Sequence, residues 1–204
     1  MSEPRIPLLA VLSLAFLLPA LSACTTTGIA VGAGAGAAVA ASQERGITGT
    51  LTDTRIRAAI NILWLKKNVD MYQGLGLAVH ERRVLVTGVV RSEERRADAV
   101  RLAWLATGVK EVINEIAVDS TGRTKDFARD TWITAQLKTK FLFDKAVTAI
   151  NYSVDTVNYT VYLFGIAQDK AELERVINHA RNVKFVRRVV NHVLLKSDPR
   201  RKTL

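Results

Sequence analysis

The chain of 204 residues reads as an α+β protein built from two tandem αββαβ domains, each a small three-stranded mixed sheet packed with two helices. Three observations predict this. First, the chain repeats itself: Asp53-Thr54-x-Ile56-x-Ala58 returns as Asp130-Thr131-x-Ile133-x-Ala135, an offset of 77 residues. Second, the offset never slips. Val84-x-Val86-x-Gly88 returns as Val161-x-Leu163-x-Gly165, and Val109-x-x-Val112-x-Asn114 as Val186-x-x-Val189-x-Asn191, so no loop was inserted between the copies. Third, each copy mixes helical and strand patterns and can form a core of its own. That favours two domains over a solenoid, which usually needs three or more repeats.

The elements follow in order. Ile56, Ile60 and Leu63 share one face at helical spacing, which predicts a helix over 53–67. Leu77-x-Val79 and Val84-x-Val86 alternate around the polar Glu81-Arg82-Arg83, the pattern of a β-hairpin. Gly88 and Gly165 are expected at the turn that leaves the second strand. A second helix over 92–107 should carry Ala99, Val100, Ala103 and Trp104 inward and end at Gly108 in a left-handed cap. Val112, Ile116 and Val118 form the last strand, reached by a crossover that makes it parallel to the second. The other copy repeats the order, with Asp169-Lys170-Ala171-Glu172 as the capping box of its second helix. Asn114 and Asn191, alike in position, read as side chains that satisfy backbone groups at a bend.

The N-terminus carries an export pattern. Arg5 precedes the apolar run Ile6 to Leu18, too short for a membrane span and right for a signal peptide. Leu21-Ser22-Ala23-Cys24 then matches the bacterial lipobox. That match implies cleavage before Cys24 and acylation of its thiol and new amino group; Thr25 in place of Asp favours sorting to the outer membrane. The expected layout is therefore signal peptide 1–23, lipidated N-terminus and flexible tether 24–50, first domain 51–120, second domain 126–197 and a frayed basic tail 198–204.

A net charge of +10 points to an anionic partner, nucleic acid or membrane. Export turns that choice toward membrane and away from nucleic acid. The excess lies in the second copy: residues 53–120 carry 11 basic and 9 acidic side chains, residues 126–204 carry 14 and 8. The first helices of the copies differ too. Trp132 and Phe143 stand where the first copy has Arg55 and Lys66, off the predicted core face, with Lys138 and Lys140 on the same helix. Such a stripe suits a membrane interface, where rings sit among headgroups and cations meet phosphates. The other reading packs Trp132 and Phe143 against the first domain. Arg187 and Arg188 flank the last strand's core residues, so at least one should face solvent.

Signs of catalysis are missing. His80, His179 and His192 sit at unrelated places in the repeat, none at metal-ligand spacing, and read as surface or half-buried residues. Gly74-x-Gly76 lacks the third glycine of a dinucleotide fingerprint, and no serine sits in a nucleophile elbow. No enzyme, metal or cofactor is expected.

The repeated Asp-Thr-x-Ile, Val-x-Val/Leu-x-Gly and Val-x-x-Val-x-Asn segments resemble the BON domain over 53–196, present twice, and the whole chain resembles dual-BON outer-membrane lipoproteins. The resemblance implies the αββαβ fold, a place at the periplasmic face of the outer membrane, binding to anionic phospholipid, a role in envelope integrity and no catalytic residues. It tips the reading of Trp132 toward lipid; Trp132, Lys138, Lys140, Phe143, Arg187 and Arg188 of the second copy are the candidate phospholipid-binding residues, with Cys24 as the lipidation site. An envelope protein partner, with lipid as anchor only, is the alternative. The oligomeric state is left open.

Overall fold

The computed structural model describes residues 42–121 and 126–202. The first helix, α1, runs Gly46–Lys67 and so begins well before Asp53. Its early turns are rich in threonine, a composition that reads as tether. Here the hydroxyls of Thr50, Thr52 and Thr54 donate to the carbonyls of Gly46, Thr48 and Thr50 at 2.7, 3.0 and 2.8 Å, so they cost the helix little. Asp53, Ile56, Ile60 and Trp64 form its buried face, and the Trp64 indole donates to the Ala99 carbonyl at 3.1 Å. A short helix α2, Val69–Gly74, follows without a sequence expectation. The Asn68 side chain caps it by accepting from Asp70 N at 2.7 Å.

Strands β1, Leu75–His80, and β2, Arg83–Val90, form the expected hairpin, with Leu75 opposite Gly88. Its two turn residues, Glu81 and Arg82, both have positive φ, 51° and 64°, as a type I′ turn requires. Neither is glycine. The buried Asp53 carboxylate compensates by accepting from both turn amides at 2.9 Å. The second copy repeats the device: Asp130 accepts from the amides of Asn158 and Tyr159 at 2.8 and 2.9 Å. The aspartate of the repeat is thus a turn clamp reaching across from the helix.

Helix α3 spans Glu93–Trp104, capped by Ser92. It buries Ala99, Leu102 and Ala103, and not Trp104, which is 49% exposed. Five residues beyond Ala99, Trp104 lies about 140° around the helix and so leaves the core face. Strand β3, Glu111–Val118, pairs parallel to β2 and completes the sheet order β1-β2-β3. Asn114 and Asn191 accept from the amides of Ile116 and Val193 at 3.1 and 3.0 Å.

The second copy gives α4, Phe127–Phe143; β4, Tyr152–Val157; β5, Thr160–Ala167; α5, Lys170–Arg181; and β6, Arg188–Leu195, in the sheet order β4-β5-β6. At the start of α5 Asp169 accepts from Glu172 N at 2.8 Å. Glu172 reaches back to Gln168 N, one residue earlier than a capping box requires, and also takes Thr148 N, both at 2.6 Å.

Gly88 and Gly165 do not lie in the turn after their strands. They sit inside β2 and β5, two residues short of the strand ends, at φ 121° and 140°. A Cβ at Gly88 would stand 2.6 Å from the Gly74 carbonyl oxygen, and one at Gly165 would collide with the Asn151 carbonyl. The incoming end of the neighbouring strand, and not an exit turn, excludes a side chain.

The described residues belong to one compact unit, 40–204. Alternation along the central strands shows why. Val84 and Val86 face α1 and α3, and Val161 and Leu163 face the second copy's own core. The intervening residues point the other way: Leu85, Val89, Tyr162 and Phe164, with Val157, make a third core between the sheets. The layers are therefore helices, sheet, sheet, helices. Thr87 bonds Asp155 across this seam, His80 Nε2 meets Ser153 Oγ at 3.0 Å, and the Arg83 guanidinium lies 5.1 Å from the centre of the Phe164 ring. His192 joins Glu115 at 2.8 Å. The basic tail is not frayed where described: Pro199–Lys202 form a 3-10 turn, and Arg201 pairs with Glu81 at 2.7 Å, tying the C-terminus to the first domain.

Candidate functional site

Ile133, Leu137 and Phe141 form the buried face of α4, and this seats Trp132 at the edge of that face, 40% exposed. Its ring meets the edge of Phe185 at 5.8 Å with an interplanar angle of 68°. Phe185 lies in the connection between α5 and β6, so Trp132 finds its aromatic partner within its own domain. Two cations face the Phe185 ring: the Arg129 guanidinium at 4.0 Å and the Lys184 ammonium at 4.9 Å. Beside them the Arg187 guanidinium lies 4.3 Å from the centre of the Tyr159 ring.

Asp126 organises the rim. It caps α4 by accepting from Arg129 N at 3.0 Å, accepts from the Tyr159 hydroxyl at 3.0 Å, and stands 3.7 Å from the Arg129 guanidinium. The backbone bond from Arg129, then the Tyr159 hydroxyl, hold its carboxyl below the usual range, and in return Asp126 holds the Tyr159 hydroxyl protonated to higher pH. Asp126, Ala128, Arg129, Trp132 and Phe185 line a shallow groove of about 270 Å³. The patch is cationic and aromatic, with one carboxylate already engaged.

The first copy keeps a cation in place of Arg187, Lys110, but has none of the rings. At the positions of Arg129, Trp132, Tyr159, Lys184 and Phe185 it carries Thr52, Arg55, Arg82, Thr107 and Gly108.

The other candidates scatter. Phe143 shares the helical stripe of Trp132 but lies about 16 Å along the axis, where it is 84% exposed beside the exposed Leu142. Lys138 lines a different groove, between the domains, with Arg57, Tyr152 and Asp155. The reason is angular: six residues after Trp132, it has turned about 120° away. Lys140 is exposed on α4. Arg187 and Arg188 are both exposed; Arg187 joins the Trp132 patch, whereas Arg188 bonds the Tyr162 hydroxyl on the sheet side.

Arg129 and Phe185 were not among the candidates. Comparing the copies position by position would have found Phe185, because it replaces a glycine at a left-handed position.

His80 is not a surface or half-buried residue. It is buried in the seam, where burial first, and then the charges of Arg45, Arg57 and Arg83, depress its pKa to about 3. His179 bonds Asp144 at 2.7 Å. Among the described residues no three His, Cys, Asp or Glu gather as a metal site, and no helix is long and apolar enough to cross a membrane. The segment expected to be a signal peptide, Cys24 and most of the expected tether lie outside the described residues.

Comparison with known proteins follows the repeat. A family model described as the BON domain matches residues 52–120 and again 129–197. A protein of Anaplasma centrale, named for its place in the gshII 5′ region, is 42% identical over 138 residues, covering 65% of this chain and 91% of its own. The osmotically-inducible protein Y of Escherichia coli is 26% identical, covering 72% of this chain and 74% of its own. The outer membrane lipoprotein DolP of Haemophilus influenzae is 32% identical, covering 53% and 55%.

Proposed function

The chain belongs to the BON-domain family, and on that premise we propose that it is a non-enzymatic, lipid-anchored protein at the periplasmic face of the outer membrane. Its second domain binds anionic phospholipid and supports envelope integrity. The lipobox at Cys24 and the likeness to an outer membrane lipoprotein support the location. The observation that carries the binding is the half-exposed Trp132 among Arg129, Lys184 and Arg187, in the second copy alone.

An indole at an interface places its apolar body among upper acyl chains and its N–H among headgroups. Each nearby cation adds on the order of 1 kcal/mol at an anionic leaflet, so three together give roughly 3 kcal/mol, enough for salt-sensitive binding once the acyl anchor holds the protein close. The first domain serves as the structural support of the second, through the seam between the sheets.

That seam changes the test. An isolated second domain would expose Tyr162 and Phe164, so the whole 40–204 unit is the proper reagent. It should co-sediment with vesicles of phosphatidylglycerol in phosphatidylcholine and not with phosphatidylcholine alone. Trp132→Glu should abolish binding without lowering the melting temperature. Equal binding by wild type and Trp132→Glu would reject the reading.

The adaptor reading has one observation in its favour. Ile47, Leu51, Ile62 and Leu65 are exposed along one side of α1, opposite its core face, and such a stripe suits a protein contact. Its signature is a 40–204 unit that does not prefer anionic vesicles.

A further inference from the structure

Phe185 has a left-handed backbone, φ 73°. Four other described non-glycine residues have positive φ, Glu81, Arg82, Asn158 and Tyr159, and all four belong to the type I′ turns, whose geometry demands it at both central positions. Phe185 is the third residue of a turn closed by the Val186 amide on the Val183 carbonyl at 3.2 Å, a place where positive φ calls for glycine or asparagine. A single bulky residue in this region is disfavoured, and such residues persist where the surrounding structure or function requires them.

The first copy supplies the comparison. Its residue at this place is Gly108, φ 96°, where the left-handed conformation is free of cost. Space is not the reason for that glycine: a Cβ there would meet the Ile56 side chain at an ordinary 3.5 and 3.8 Å. The backbone alone favours glycine, and the second copy gives up that advantage to carry a phenyl ring. The ring is not there to fill the core. It is 39% exposed, while its neighbours Val183 and Val186 pack inward.

Resting on the lipid reading above, we propose that Phe185 is a second membrane-inserting side chain, which the left-handed backbone turns out of the core and sets against Trp132. The ring pair forms one apolar tip on two elements, α4 and the connection from α5 to β6. Arg129 and Lys184 stand at the Phe185 ring and reach headgroup phosphates as the rings enter the acyl region. The occupant is the headgroup and upper acyl layer of an anionic bilayer. A shallow groove of about 270 Å³ beneath an exposed ring pair suits a surface better than an enclosed small molecule.

The test compares the 40–204 unit as wild type, Phe185→Gly, Phe185→Ala and Trp132→Glu, by sedimentation with vesicles of phosphatidylglycerol in phosphatidylcholine. Phe185→Gly restores the residue of the first copy. It should melt at the same temperature as wild type or higher, yet bind about tenfold more weakly or worse, from the loss of one buried phenyl group. Phe185→Ala keeps the strained backbone without the ring and should bind as weakly while melting lower than Phe185→Gly. Wild-type binding by Phe185→Gly overturns the proposal, as does a fall in its melting temperature, which would mean the ring is kept for packing. Loss of binding in Trp132→Glu with full binding in Phe185→Gly overturns this proposal and leaves the lipid reading standing. A wild-type unit indifferent to phosphatidylglycerol overturns both.

Discussion

Acidification should loosen the seam between the two sheets through one histidine. His80 is buried, bonded to Ser153 of the other domain at 3.0 Å and edge-on to the Phe164 ring at 5.3 Å. Burial and the charges of Arg45, Arg57 and Arg83 hold its folded-state pKa near 3, against 6.5 when free. A depressed histidine pKa means that the unfolded chain binds the proton first. Stability is therefore fully present above pH 6.5 and falls as pH drops from about 6.5 toward 3. At pH 5 the unfolded histidine is almost fully charged and the folded one neutral, which lowers stability by about 2 kcal/mol relative to pH 7. The group is buried, so solvent screening takes little from this figure. The assay is urea unfolding of the 40–204 unit at several pH values between 7 and 5, for wild type and His80→Gln, which keeps a polar group for Ser153. The other titratable groups are common to both proteins and cancel in the difference. The stability of wild type should fall more steeply than that of His80→Gln, by close to one proton. Parallel pH dependences would refute the reasoning and show that the folded protein admits a charged imidazolium into the seam.

Two further outcomes are expected. Asp130→Ala should cost about 2–4 kcal/mol, because it leaves the amides of Asn158 and Tyr159 without their acceptor in a left-handed turn; denaturant unfolding measures it, and a loss below 1 kcal/mol would show that water replaces the carboxylate. Cys24→Ala should release the protein from the membrane fraction or block its processing, and mass spectrometry of the N-terminal peptide should find acyl chains on the wild type alone; an unmodified Cys24 would remove the anchor from the proposal.

How far the sequence could be read depended on the range of the interaction. Periodicity is local, so the helix faces of Ile56 and Ile133, the two hairpins and the αββαβ order were legible from neighbours a few residues apart. Errors came where a local pattern had two solutions. Trp104 is apolar and close to a buried run, yet its angle on α3 turns it outward. Threonines at the start of α1 resemble a tether until their hydroxyls are seen bonded to the preceding turn. Gly88 suits an exit turn by composition, but the close approach of β1 is what requires it. The role of Asp53 and Asp130 was hidden for a related reason: the aspartate and its turn lie far apart in the chain, and only the fold joins them.

The repeat, the lipobox, the basic second copy and the replacement of Arg55 by Trp132 needed nothing beyond the order of residues. The chain itself carries these as patterns, and a 77-residue offset makes each copy the other's control. Which side chains meet was decided in three dimensions. Helical rotation separates Lys138 from Trp132, and rise along the axis separates Phe143 from it, although all three share α4. Closure of the second domain then brings Phe185, from a connection more than fifty residues later in the chain, against the indole. Packing of two sheets face to face makes His80 a buried residue and Arg201 an interdomain tie, because the seam is formed by residues that alternate away from both helical cores and meet the facing sheet.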